Sequence, residues 1–337
     1  VQKVSEELGV QYVVEGSVRG AKDRVRMTAQ LIDALTGRHI WADKYDRDIQ
    51  NIFSVQDEIT KKIITALQVN LTHGEQAAVY SRGTNNLEAY LKIMKANWLY
   101  SQMAKKGVLK ARQLANEAIA LDPSYAAAHT VLGRSHGLAI QLGFSKNPRE
   151  SLKHAIESFH KAIELDDSLA IGHVALGFWS MYARQYDKAL AEGKRGFELG
   201  SNSAEVIAGY AAILTMIGRP EEAIPLFKEA LRLNPKPPSF YLHFLGIALR
   251  DSGQYKDAII QSRKAIEKEP DNLIANVVLT SSLSLAGQNE EAREAAKEIL
   301  RISPKFSVAK WQKRSPHKNR AVAKRYCDAL RKAGLPE

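Results

Sequence analysis

Four stretches close in the same way: ANEAIALDP (residues 115–123), FKEALRLNP (227–235), RKAIEKEP (263–270) and AKEILRISP (296–304). Each is a helix-favouring run that stops at a proline, a residue that cannot continue the hydrogen-bond ladder. A recurring terminator implies a recurring unit, so its period decides the fold. The alanines nine to twelve residues before these closures or their substitutes are Ala111, Ala155, Ala189, Ala223, Ala258 and Ala292, at spacings of 44, 34, 34, 35 and 34. The unit is therefore 34 residues long.

Twelve residues before four of these alanines lie Gly177, Ala211, Gly246 and Thr280, following Leu176, Tyr210, Leu245 and Leu279. Small residues at these positions and at Ala189, Ala223 and Ala258 let two helices approach closely. GRPEEA (218–223), SGQYKDA (252–258) and AGQNEEA (286–292) supply the turn between the two helices of a unit. Period, small residues and proline together resemble the tetratricopeptide repeat, whose unit is an antiparallel helix pair. The resemblance covers residues 87–304, about six units, and implies a mainly α chain: a tetratricopeptide-repeat α-solenoid preceded by a small α/β module. Two units depart from the pattern. QLGFSKNPRE (141–150) is an insertion expected to form a longer loop, and Gly193, Gly196 and Ser201 predict a less well packed second helix in the third unit.

Over the first eighty residues the period changes. QYVVEGSVR (11–19), RVRMTAQLID (24–33) and RHIWADKYD (38–46) are rich in β-branched and aromatic residues, and GAKD and ALTG between them are turn chemistry. A three-stranded meander is predicted. Val25, Met27, Ala29 and Leu31 alternate with Arg24, Arg26, Thr28 and Gln30, so one face is buried. SVQDEITKKIITALQVNL (54–71) then shifts to helical spacing, with Ser54 and Asp57 as a capping box and Val55, Ile59, Ile63 and Leu67 as the apolar stripe.

The line from Glu7 to Ile59, above all EGSVR, AQLIDALTGRHIWADKYDR and SVQDEI, resembles the TolB-like domain that precedes tetratricopeptide repeats in many bacterial class III adenylate/guanylate cyclases; CDALRKAGLPE (327–337) is similar to the end of those proteins. The resemblance implies a cyclase domain upstream and a module that lacks its first strands here. It therefore implies a 1–80 module that is incomplete at its start, with a homodimer through residues 1–50 as one way to satisfy an unpaired strand. Nothing in the chain resembles the cyclase's metal-binding aspartates. The expectation is a non-catalytic interaction and regulatory region in a bacterial signalling protein; the rival is a stand-alone adaptor whose TolB-like module senses a ligand or envelope partner.

Composition bounds these readings. The single cysteine, Cys327, excludes an intrachain disulfide framework and fits a reducing, cytoplasmic setting. The chain opens on Val1 with neither an initiator Met nor a leader pattern, and is expected to begin downstream of a natural start. Its longest nearly apolar run, VIAGYAAILTMIG, is shorter than the ~20 residues of a membrane span. No dinucleotide or phosphate-loop fingerprint occurs, so no cofactor is expected. His129, His136, His154, His160 and His173 show no metal-ligand spacing and are expected to be packed or exposed rather than ligating.

Two surfaces remain as candidates. Counting from the small residue of each first helix places Arg134, Phe178, His243 and Ile247 on the concave groove, with Tyr182 and Arg250 one turn further along at its rim. This apolar set suits an amphipathic helix of a partner or a segment of the chain itself. The formal charge of +11 sits mainly at the end: residues 305–337 hold 10 basic and 2 acidic side chains. Lys310, Lys313, Arg314, Lys318, Arg320, Lys324 and Arg325, with Trp311 and Tyr326 between them, fit nucleic acid or an acidic protein surface. They fit better the solvated side of capping helices over 305–337, with Val322, Tyr326, Leu330 and Ala333 facing inward.

Overall fold

The computed structural model describes residues 12–21, 24–34, 36–48, 58–59, 62, 83–84, 86–101, 104–235 and 237–337. The chain divides into two compact units, Val1–Leu87 and Glu88–Glu337. In the first, β1 (Tyr12–Ala21), β2 (Arg24–Asp33) and β3 (His39–Asp48) form an antiparallel meander in the order β1-β2-β3. Alternation along β2 buries Val25, Met27, Ala29 and Leu31, and Val25 and Met27 cluster with Tyr45. On the other face Arg24 and Arg26 both reach Asp46, at 2.9 and 2.7 Å. Of the helix expected over 54–71, only Glu58, Ile59 and Lys62 are described; they are helical, and Ile59 packs on the Val25–Met27–Tyr45 cluster. Ser54, Val55, Asp57, Ile63 and Leu67 lie outside the described residues.

The second unit is built from helix pairs, six of them among the described residues: α1 (Leu87–Ser101) with α2 (Lys105–Leu121), α3 (Ala126–Gln141) with α4 (Pro148–Leu165), α5 (Ala170–Tyr182) with α6 (Tyr186–Leu199), α7 (Ala204–Ile217) with α8 (Pro220–Leu233), α9 (Ser239–Asp251) with α10 (Tyr255–Lys268), and α11 (Leu273–Leu285) with α12 (Asn289–Ile302). Short α13 (Val308–Arg314) and α14 (Arg320–Lys332) follow. The six period alanines are all buried. Asp122, Asn234, Glu269 and Ser303, each just before a closing proline, have left the helical region, with ψ of 94°, 90°, 88° and 83°. Proline bars the helical region to its predecessor, which is why the phrase ends each second helix.

The insertion does form a longer turn, residues 142–147 against 183–185, 218–219, 252–254 and 286–288 in the pairs that follow. It also lengthens the flanking helices: α3 and α4 have 16 and 18 residues, against 13 and 14 in α5 and α6. The expectation of a loosely packed third unit is not met. A Cβ on Gly196 would stand 2.6 Å from the Ala170 carbonyl and from Val174 Cγ2, so glycine there permits a closer helix contact than alanine would.

The chain finishes with α14 against α11, burying Ala323, Tyr326, Cys327 and Leu330. Ala333 is buried as well, whereas Val322 is half-buried. This is a cap: it covers the face that a seventh repeat would otherwise have to cover.

Candidate functional site

The first helices of the pairs, α1, α3, α5, α7, α9 and α11, supply the inner face, and the structure fills much of it with their own side chains. Arg134 on α3 pairs with Glu205 on α7, two repeats away, and its guanidinium lies 4.4 Å from the Tyr100 ring centre. Phe178 on α5 stacks edge-on against Phe240 and Phe244 of α9, also two repeats on, at 6.1 and 5.7 Å. Repeats two apart meet, so the solenoid is wound tightly here.

The predicted groove residues therefore lie on the inner helices but mostly inside them. Phe178, His243, Ile247 and Arg250 are buried. The Tyr182 hydroxyl accepts from Gln141 Nε2 at 3.1 Å and is not a free rim contact. His243 packs between Phe240 and Phe244; its Nδ1 lies 3.4 Å from Asn272 Nδ2 and its Nε2 has no partner. Burial pushes its pKa down to about 3. Sequence counting missed Phe240 and Phe244, whose signal is the i, i+4 aromatic pair in FYLHF; it also missed Glu205, which no local pattern links to Arg134.

Arg250 is drawn to the end of the chain. Its Nη2 lies 2.8 Å from Asp251 Oδ1, Nη1 donates to Ser281 Oγ at 3.3 Å, and the guanidinium sits 4.1 Å from the Tyr326 ring centre. Asp251 also meets His317 Nε2 at 2.9 Å, and His317 Nδ1 lies 2.7 Å from Ser315 Oγ. Burial alone would raise the Asp251 pKa, but the charges of Arg250 and His317 prevail and hold it below the usual carboxylate range.

The segment joining α13 to α14 acts as a strap. Lys318 N–H donates to the Met216 carbonyl at 2.8 Å, Arg325 Nη2 donates to the Asp251 carbonyl at 2.9 Å, and Arg184 donates to the carbonyls of Ser315 and Lys313. Met216 and Asp251 belong to the last turns of α7 and α9, where carbonyls have no partner within the helix, so the strap satisfies groups that a helix end leaves open.

The basic residues of the strap and its helices face outward: Lys310, Lys313, Arg314, Lys318, Arg320, Lys324 and Arg325 are all exposed. Lys324 pairs with Asp328 at 2.7 Å and Lys318 with Asp187 at 3.6 Å. The two aromatics between them are used internally. Trp311 packs on Phe306 at 5.6 Å, and Tyr326 is buried beneath Arg250. Between α13 and α14 lies an open cleft of about 360 Å³ lined by Ala309, Gln312, Lys313, Arg320 and Ala323.

The histidines are divided between interior and surface contacts, with His173 buried and His154 and His160 exposed. His173 spans Glu192 at 2.7 Å and the Asp167 carbonyl at 2.9 Å, the rings of His136 and His154 lie 5.3 Å apart, and His160 meets Lys188. Among the described residues no group of three or more His, Cys, Asp or Glu could hold a metal ion. Cys327 is buried, which pushes its thiol up to about 11 and leaves it unreactive at neutral pH. No helix among the described residues is long and apolar enough to cross a membrane.

Against known proteins, residues 245–305 match the model of the tetratricopeptide repeat. The chain is similar to a putative adenylate cyclase 3 of Rhizobium meliloti, 38% identical over 189 residues, which is 56% of this chain and 32% of that protein. It is also similar to the transcriptional regulator HilA of Salmonella typhimurium, 26% identical over 64% of this chain and 39% of that protein. The chain thus spans about a third of the length of the curated relatives it matches. Among solved structures, the APC/C hetero-tetramer Cut9–Hcn1 superposes with a TM-score of 0.54 at 17% identity, over 84% of this chain and 47% of that one. The fold is a tetratricopeptide-type α-solenoid with a small antiparallel sheet ahead of it in the sequence.

Proposed function

We propose that this chain is the non-catalytic interaction and regulatory region of a bacterial signalling protein, positioned after a nucleotide cyclase domain. The observation that carries the reading is the 38% identity with a putative adenylate cyclase. The position of the cyclase and the TolB-like character of the sheet rest on the sequence resemblance of residues 7–59. The titratable groups with shifted pKa values fit a structural role: Asp251 serves a buried ion pair, Asp43 a contact with Lys62, and His243 an aromatic core.

Occupation of the inner face by the chain's own groups is the reading favoured here. It is supported by the Phe178–Phe240–Phe244 cluster and by the strap contacts at Arg184, Met216 and Asp251. Partners then dock on surfaces left exposed, in a cytoplasmic setting. An adaptor region attached to a transcriptional regulator is the second reading; the match to HilA over 64% of this chain favours it.

Purified chain supplied with ATP or GTP and Mg2+ or Mn2+ is expected to make no cyclic nucleotide above a buffer blank, and turnover would overturn the reading. The frame upstream of Val1 separates the two alternatives: a cyclase domain supports the first and a DNA-binding domain the second.

A further inference from the structure

We infer that the exposed basic face of α13 and the start of α14 is a docking site for an acidic polypeptide segment, with one carboxylate seated in the cleft between Lys313 and Arg320. The first observation is a cluster of unpaired cations. On the solenoid's second helices several exposed cations meet a carboxylate three residues away: Arg219 with Glu222, Arg232 with Glu229, Lys297 with Glu294 and Arg301 with Glu298. Lys228, Lys256, Lys264 and Lys268 stand exposed with no such partner among the described residues, but none of them lines the cleft. Among the described residues no carboxylate lies within ion-pair distance of Lys310, Lys313, Arg314 or Arg320, though all four are exposed. Lys310, Lys313 and Arg314 are spaced i, i+3, i+4 on α13 and so share a face.

The second observation is the cleft. Lys313 and Arg320 line it together with Gln312, Ala309 and Ala323. Its volume of about 360 Å³ is at the small end of binding pockets. Two cations beside two alanines in an open cleft suit a Glu or Asp side chain carried on an extended peptide.

The chemistry of the surroundings selects the partner class. Single-stranded nucleic acid binds through aromatic platforms as well as charge, yet Trp311 is engaged with Phe306 and Tyr326 is buried beneath Arg250. An anionic membrane surface would call for exposed apolar side chains among the cations. Among the described residues the exposed large apolar ones are Val14, Val18, Met94, Trp98, Leu109, Leu121, Leu142 and Ile260, none of them in the strap or its helices. An acidic protein segment needs neither feature.

The inference builds on the scaffold reading, and its test is separate from it. A fluorescein-labelled peptide of alternating Glu and Ser is titrated with the full chain and followed by anisotropy, at low and high salt. The unmodified chain is expected to bind, and the K313E/R320E variant to bind at least about tenfold more weakly. The K153E/K194E control makes the same charge change on α4 and α6 and is expected to keep its affinity. Carbodiimide cross-linking is expected to join the peptide to Lys313 or Lys310. Should the reversal melt early, K313Q/R320Q replaces it. No peptide binding, equal loss in both reversals, cross-links confined to solenoid lysines, or tighter binding of a short DNA duplex or anionic vesicles would each overturn the inference. A chain that binds no peptide and makes no cyclic nucleotide loses the docking site while leaving the scaffold reading in place.

Discussion

Arg184 stands at φ 62° in the turn between α5 and α6, and its guanidinium donates to the main-chain carbonyl of Ser315, 131 residues further along the chain. The equivalent turns of other repeats hold Gly143, Gly218, Gly253 and Gly287, all with positive φ. An arginine in this left-handed conformation costs about 1 kcal/mol relative to glycine. It persists because it anchors the strap through Ser315 and Lys313. Arg184→Ala keeps the strained backbone and loses the anchor, so it is expected to destabilise by about 1–3 kcal/mol. Arg184→Gly loses the anchor and relieves the backbone, so it should be about 1 kcal/mol less damaging than Arg184→Ala. Denaturant midpoints of the pair test this, and an order with alanine the milder would refute it.

Asp251→Asn leaves the Arg250 guanidinium buried without its counter-charge, while the Tyr326 ring and Ser281 remain. The expected loss is about 3 kcal/mol at neutral pH. The folded-state pKa of Asp251 is lowered, so its contribution is present above the unfolded value of about 3.9 and disappears as pH falls through the folded one. The variant should therefore show a shallower acid limb than the unmodified chain. Parallel acid limbs would mean that Asp251 is not charged in the folded protein.

His243 gives the opposite kind of group. Its pKa is pushed down to about 3 by burial, so below the unfolded value of about 6.5 the unfolded chain takes up a proton that the folded chain refuses. Stability is then lost as pH falls, by about 2 kcal/mol between neutrality and about pH 5. His136 adds to the trend, since burial with the nearby charges of Arg112 and His154 lowers it to about 4. His243→Leu is expected to lose less stability over this range than the unmodified chain, in urea titrations at the two pH values. Equal losses would show that His243 takes up its proton without unfolding.

The helix pairs were legible because their determinants are local and periodic: a proline fixes its predecessor, and a small residue recurs where helices touch. Gly177, Ala189 and Ala258 could be assigned from spacing alone. The inner face was not legible to the same degree. Positions on the first helices could be counted, but whether Phe178 faces a groove or the Phe240 ring depends on the superhelical winding, which no single repeat encodes. Gly193 and Gly196 misled for a related reason: a glycine in a helix lowers intrinsic propensity, yet close approach to Tyr210, Ile213 and Ala170 is what fills the space. The strap's charges were visible as composition, while Arg184 and Asp251, which hold the strap down, carry no sequence signature.

Two glycines at the same repeat position are expected to respond differently to alanine. At Gly177 a Cβ would stand 2.7 Å from the Ala189 carbonyl oxygen and 3.0 Å from Gly193 N, backbone atoms that cannot step aside. Gly177→Ala should destabilise by about 1–3 kcal/mol. At Gly246 the nearest atoms are side-chain ones, Ser262 Oγ at 3.1 Å and Val278 Cγ1 at 3.3 Å. There the helix-propensity gain of about 1 kcal/mol offsets the crowding, and Gly246→Ala should be near neutral. Ala258→Leu, at a buried position of the partner helix α10, should cost about 1–3 kcal/mol through overpacking. Thermal melts of the three variants provide the comparison; a Gly177→Ala melt matching that of the unmodified chain would contradict the close contact.

β1 presents exposed valines on the face that its neighbour buries. Val14 is opposite Leu31 and Val18 opposite Met27, so both valines lie on the sheet face that buries Leu31 and Met27. Yet Val14 is 49% exposed and Val18 66%. Among the described residues only β2 pairs with β1, which makes β1 an edge strand whose backbone groups can recruit another chain. Exposed valines and an open edge on one strand are together accounted for by antiparallel pairing of β1 with β1 of a second copy, which extends both sheets and shields both valine pairs. The chain is then expected to dimerise through residues 1–50 at high micromolar concentration. Val18→Lys, which puts a charge on that face, should shift it toward monomer without altering the solenoid. Multi-angle light scattering on the unmodified chain, on Val18→Lys and on a chain extended upstream decides the matter. A dimer that Val18→Lys breaks and the extended chain lacks places the contact at β1 and shows that upstream residues cover the edge. A monomer in all three, with equal hydrogen-exchange protection over residues 10–45, would mean that the edge is already satisfied and the dimer does not form.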